Sequence, residues 1–220
     1  MTTSTTAHAA PVPALPSLAA QVERLVELGV PALAGLTPDV LHDAVARPGA
    51  PAGLLVPAGA APSDLAPLLR LGEKPGFVVE DMTDVDAFAP IPEATPPASA
   101  LYVVTGPGRG DEMANWSPDE ALPAITGAGR TPLTLLEGIV WALQVPQVLD
   151  RNHCFMTIGS RLRRPNGRPD ARTPALWISN GTGRDGRERR DAPKVGWCWA
   201  GNRHTWLGIA SADARVPLAG

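Results

Sequence analysis

Residues 194–210, KVGWCWAGNRHTWLGIA, constrain the fold more than any other stretch of the chain. Two runs of strand-forming residues flank Gly201-Asn202, a dipeptide suited to a two-residue hairpin loop. In that register Ala200 opposes Arg203, Trp199 opposes His204, Cys198 opposes Thr205 and Trp197 opposes Trp206. Alternation then puts Val195, Trp197, Trp199, His204 and Trp206 on one face, and Gly196, Cys198, Thr205, Leu207 and Ile209 on the other. A three-residue loop would instead bring Cys198 and His204 to one face, as a nucleophile pair or half a metal site requires. The sequence favours the two-residue turn.

The preceding segments read as partners for such a hairpin. Residues 153–160 alternate, with His153, Phe155 and Thr157 on one side and Cys154, Met156 and Ile158 on the other. Residues 175–180 set Leu176 and Ile178 against Trp177 and Ser179. Two arginine-rich loops, residues 161–168 and 183–191, separate these runs. An antiparallel sheet of about four strands is the expectation. Upstream, Thr131-Pro132 opens the strongest helix, with Leu133, Leu136, Val140 and Leu143 in one stripe and Thr134 and Glu137 at capping-box spacing. The smaller face of the hairpin would pack on that stripe.

Earlier segments are mixed. Helices are predicted over residues 15–28, with Ser17 as N-cap, and from Thr37-Pro38 to just before Pro48. Residues 53–56 and 76–79 read as strands around a third helix begun at Ser63-Asp64, a pattern fitting a small α/β unit. Residues 90–98 are Pro-rich, and residues 101–105 form a further strand. The Gly106–Gly110 loop invites a phosphate-binding reading. It lacks P-loop spacing and is followed by Asp111 and Glu112, so backbone freedom is its expected use.

Charge is unevenly divided. Residues 1–149 hold sixteen acidic and six basic side chains, a balance of −10; residues 150–220 hold six and thirteen, a balance of +7. Such polarity marks either a basic face for anionic ligands or two parts that attract each other. No apolar run is long enough to cross a membrane, and residues 1–16 lack a signal-peptide pattern. Two cysteines do not make a disulfide framework, so a reduced, cytoplasmic protein is expected.

The chemistry-bearing residues suggest recognition. Trp177, Trp197, Trp199 and Trp206 offer stacking faces, Arg161 and Arg203 offer bidentate donors, and Ser179, Asn180 and Asn202 add neutral hydrogen-bonding groups. Aromatic faces among arginines suit a nucleotide-like ligand or single-stranded nucleic acid. The alternative is an enzyme in which His204 acts as general acid/base while Arg161 or Arg203 stabilises an anion. A protein partner could engage the acidic N-terminal part. No cofactor is expected. His153, Cys154, Cys198 and His204 could supply metal ligands, but adjacent His153 and Cys154 point to opposite faces and no CxxC or HxxxH spacing occurs. No GxSxG nucleophile elbow is present either.

Residues 130–138 (RTPLTLLEG), Gly159-Ser160-Arg161, residues 174–179 (PALWIS) and residues 196–210 carry a resemblance. Over residues 101–215 the chain resembles a family of uncharacterised actinobacterial proteins, which implies a cytoplasmic actinobacterial origin and assigns no site residue. The expected fold class is α+β: N-terminal helices with a short mixed part, then one central amphipathic helix on a C-terminal antiparallel sheet. The expected division is a disordered lead-in (1–16), an N-terminal part (17–98) and a C-terminal domain (99–215).

Overall fold

A computed structural model describes residues 12–218, so most of the expected lead-in lies outside the described residues. The fold is α+β, with helices α1 (Leu18–Glu27), α2 (Val30–Leu33), α3 (Pro38–Ala46), α4 (Pro62–Leu65), α5 (Pro118–Gly127) and α6 (Leu135–Gln144). Local capping chemistry sets several starts. Ser17 Oγ accepts from Ala20 N at the head of α1. Ser117 and Thr134 form full capping boxes with Glu120 and Glu137 at α5 and α6. Thr131-Pro132, expected to open the α6 helix, is instead a short strand, and the helix begins after Thr134.

Two main sheets enclose α6. One has the order β1 (Leu54–Pro57), β6 (Leu101–Thr105), β14 (Ala214–Pro217). The other has the order β12 (Leu207–Ile209), β8 (Cys154–Met156), β10 (Arg172–Ile178), β11 (Pro193–Trp199), β4 (Phe77–Val78). Three two-stranded ribbons complete the set: β2 (Arg70–Leu71) with β3 (Lys74–Pro75), β5 (Ala89–Pro90) with β9 (Ser160–Arg161), and β7 (Thr131–Pro132) with β13 (Ser211–Ala212). Strands from both sides of the Pro-rich stretch therefore share sheets and one hydrophobic core.

Sandwiching explains why α6 is buried almost all round rather than along one stripe, with only Leu136 partly exposed. Towards the larger sheet, a Cβ on Gly138 would sit 2.5 Å from Thr157 Cγ2 and 3.3 Å from Leu176 Cδ1, so helix and sheet meet at van der Waals limits. Trp141 packs on Phe155 with ring centroids 5.5 Å apart. Towards the smaller sheet, Tyr102 Oη donates to Glu137 Oε1 over 3.1 Å. Gln21, fully buried on α1, accepts from Leu55 N and donates to Gly53 O, which fixes that helix to β1.

Three expectations are corrected. The sheet is mixed rather than antiparallel, because β4 pairs with β11 and β12 with β8 in parallel. Residues 53–56 and 76–79 do not form one α/β unit, since β1 and β4 belong to different sheets. The tryptophan hairpin does not exist. Both edges of β11 are occupied, by β10 and β4, leaving no hydrogen-bonding edge for a returning strand. The chain starts the reversal, with Asn202 N donating to Trp199 O over 2.9 Å. It then runs beside residues 115–120, where Asn115 N donates to His204 O, and enters the sheet at the far edge of β8.

The Gly106–Gly110 loop serves this crossing. Gly108 and Ser211 exchange both backbone hydrogen bonds, and Gly110, at φ +73°, leaves no room for a Cβ against the Ile209 backbone. Backbone freedom is indeed the use of that loop. Its Arg109 is fully buried, clamping both oxygens of Asp111 and donating to Val148 O.

Candidate functional site

The loss of the hairpin redistributes the tryptophans. Across β10 and β11 the register pairs Leu176 with Val195, Trp177 with Lys194, Pro174 with Trp197, and Arg172 with Trp199. Leu176 faces α6, so alternation places Val195, Trp197 and Trp199 on that side of the sheet. Trp177, Lys194, Gly196 and Cys198 take the opposite side, where the Trp177 ring covers Gly196. Trp206 joins Trp177 there, edge to face at 6.2 Å, and His204 packs on Trp206 at 5.4 Å. The single aromatic wall expected from the sequence is therefore two clusters separated by the sheet.

The Trp177–Trp206 cluster borders a cavity of about 230 Å³, lined also by Arg151, Asn152, Cys154, Ile178 and Asn180. Asn152 sits in the left-handed region at φ +68°, a conformation Asn tolerates better than most residues, in the turn that bridges Asp150 to His153. That turn presents Arg151, whose guanidinium is held by Asn180 Oδ1 at 2.9 Å and by the Asp191 carboxylate. Lys194 Nζ lies 4.9 Å from the centre of the Trp177 ring and binds both Asp185 oxygens, at 2.8 and 2.7 Å. Ser179, buried, donates to Asp185 over 2.7 Å. Ser179 thus secures the loop behind the cavity rather than lining it.

Three of the expected ligand-binding residues, Trp177, Asn180 and Trp206, converge on this cavity. The others do not line it. Trp197 and Trp199 stack edge to face at 4.6 Å near Arg172, which lies over Trp197 and Phe88 and clamps Asp84. Trp199 remains 47% exposed. Arg203 is tied to Glu120 and to Asn115 O, and Asn202 is exposed on the crossing loop. Arg161 lines a different depression, beside α5. Sequence reasoning missed Arg151 and Asn152. The turn-forming Asp150-Arg151-Asn152 run before a strand was the available signal.

His204 has no carboxylate within ion-pair distance among the described residues, and its buried Nε2 has no hydrogen-bond partner. Burial holds its imidazole below the usual histidine pKa. Both cysteines are free thiols, and burial pushes each up to about 12, far from the thiolate a nucleophile needs. Among the described residues no group of three or more His, Cys, Asp or Glu side chains converges as a metal site would.

Part of the uneven charge is matched within the molecule. Acids from the first part of the chain meet bases from the second in Asp84–Arg172, Asp81–Arg184, Glu80–Arg189, Glu120–Arg203 and Glu137–Arg215. These pairs tie the acidic first part of the chain to the basic second part. Among the described residues no helix is long and apolar enough to cross a membrane.

Fold and cavity define a mixed α+β protein with a small, aromatic-walled recess on the outer side of its larger sheet. The chain belongs to DUF5701, a family of unknown function, whose match spans residues 24–218. No curated protein and no solved structure matches it.

Proposed function

We propose that this is a non-enzymatic binding or regulatory protein of the cytoplasm, taking a flat, anionic, partly aromatic ligand in the Trp177–Trp206 recess. The observation that carries this reading is the convergence of two indole rings, an arginine and two asparagines on one cavity of about 230 Å³. Indole faces supply stacking area, and the exposed guanidinium of Arg151, held by Asn180 and Asp191, has N–H groups left over for a carboxylate or phosphate. The volume is below the usual range of drug-sized pockets, so one ring system with its anionic group is the size class, such as a nucleobase carrying a phosphate. Separation of Trp197 and Trp199 from Trp177 and Trp206 by the sheet removes the continuous platform a strand of nucleic acid would stack along. A mononucleotide-like ligand is therefore favoured over single-stranded nucleic acid.

The enzyme alternative finds less support, since among the described residues His204 has neither a carboxylate partner nor an open Nε2. Titration of the full chain with adenosine monophosphate and with an oligothymidylate, followed by tryptophan fluorescence and calorimetry, tests the proposal. Binding of the mononucleotide, weakened about tenfold or more in Trp177→Ala and in Arg151→Ala, is expected. Tighter binding of the oligonucleotide, unaffected by either substitution, would sink it.

A further inference from the structure

A second cavity, of about 250 Å³, lies at the other end of the larger sheet. Its walls include Pro90, Pro92, Pro118 and Pro169, with Leu122 of α5 at one side and the buried Ile158 as an apolar base. Prolines carry no backbone N–H, so this wall offers few donors. The donors come from two arginines, Arg161 and Arg163. Proline backbones also fix the cavity in one shape before anything enters it, which lowers the ordering cost of binding.

Arg161 is the unusual group. It is half-buried, and among the described residues its guanidinium meets no carboxylate within ion-pair distance. Its Nε and Nη2 donate to one carbonyl oxygen, that of Asp170, at 3.2 and 2.7 Å. Other partly buried arginines nearby are matched: Arg172 has Asp84 and Asp170, and Arg215 has Glu137. The Asp170 carboxylate is already engaged by Arg164 and Arg172. Glu93 and Asp119 also line the cavity; both are exposed, so water weakens their fields without removing them. Burial draws the Arg161 guanidinium below the usual arginine value, against the opposing fields of Asp119 and Asp170. A partly desolvated cation with spare N–H groups, set in a rigid apolar wall, is complementary to an acceptor-only anion with an apolar body.

We infer that the proline-walled cavity beside α5 is a second ligand site, taking a compact apolar molecule that ends in a carboxylate, anchored by Arg161. The carboxylate meets the free edge of the guanidinium, while the apolar body lies on Ile158, Leu122 and the proline rings. Asp170 O holds the guanidinium in place, so the site is formed before the ligand arrives. This site is independent of the Trp177–Trp206 recess, with which it shares no lining residue.

The test uses phenylacetate and its neutral isostere phenylacetamide, with binding to the full chain followed by saturation-transfer NMR and calorimetry. Phenylacetate is expected to bind, and phenylacetamide to bind about tenfold more weakly or worse. Arg161→Met and the cavity-filling Leu122→Trp should each lose about tenfold or more. Leu122 is partly exposed on α5, so its replacement keeps the test decisive should Arg161→Met fail to fold. Equal binding of acid and amide, unchanged binding in Leu122→Trp, or no binding of phenylacetate would each overturn the inference.

Discussion

Arg215 closes a two-pronged ion pair on Glu137, Nε to Oε1 at 2.6 Å and Nη2 to Oε2 at 2.7 Å, where the Glu137 side chain is wholly enclosed. One partner stands in the first turn of α6 and the other on β14, so the bond joins the buried helix to the smaller sheet. Tyr102 donates to the same carboxylate, and burial together with the Glu137 charge drives the phenol's ionisation well above its usual value. Glu137→Gln keeps the shape and the capping geometry but leaves Arg215 unmatched. Denaturant melts should show a loss of about 3–5 kcal/mol, and Arg215→Met on that background should add much less than it costs alone.

The contact at Gly138 gives a steric prediction. With Thr157 Cγ2 only 2.5 Å from the place of a Cβ, Gly138→Ala must push α6 off the sheet despite alanine's better helix propensity. A loss of about 1–3 kcal/mol is expected. Adding Thr157→Ser removes the obstructing methyl and should return part of that loss in thermal unfolding. Additive behaviour of the two substitutions would contradict the packing described.

Arg172 offers a test of fork geometry. Its Nη1 and Nη2 donate to the two Asp84 oxygens at 3.0 and 2.7 Å while Nε reaches Asp170, an arrangement an ammonium cannot copy. Arg172→Lys should therefore cost about 1.5–3 kcal/mol in urea melts, although charge is conserved. Faster amide exchange around Asp84 should accompany the loss. A lysine variant as stable as the original would show that charge alone holds this loop.

Thiol burial fixes the alkaline limb of stability. Cys154 and Cys198 ionise only at about 12 when folded, whereas an unfolded thiol ionises near ~8.5. Folded pKa values raised in this way give stability that is complete below the unfolded value and is lost as pH rises towards 12. Each thiol contributes a slope of about 1.4 kcal/mol per pH unit in that window. Cys154→Ala, at the more enclosed of the two positions, should flatten the decline measured by urea melts between about pH 9 and 10.5. His204 acts in the opposite direction. Its lowered folded pKa means stability that is present above the ordinary histidine value and declines as pH falls below it.

What the sequence disclosed was local. Ser17 is readable as a helix start, and Thr134 with Glu137 as a capping pair, because a cap and its amide lie within one turn. The facing of Phe155, Thr157 and Leu176 was readable because alternation has a period of two. The hairpin failed at the next scale. Gly201-Asn202 begins a reversal, but which strand a run pairs with depends on which edges are vacant, and β4, more than a hundred residues earlier, fills the one concerned. Of the site, the indoles and Asn180 were visible as residue types, while their convergence with Arg151 depends on β12 lying beside β8. Nothing near Arg172 in the chain announces Asp84 as its partner.

That passage across the sheet has a consequence for how the fold is closed. Residues 207–217 supply in turn the far edge of the larger sheet, the partner of β7 and the edge of the smaller sheet, and they carry the counterion of Glu137. Without those residues the same fold would leave two sheet edges unpaired and the Glu137 carboxylate without its cation. Such edges invite pairing with other chains. The closing strands act as a latch: a chain lacking residues 207–217 leaves two sheet edges open at once.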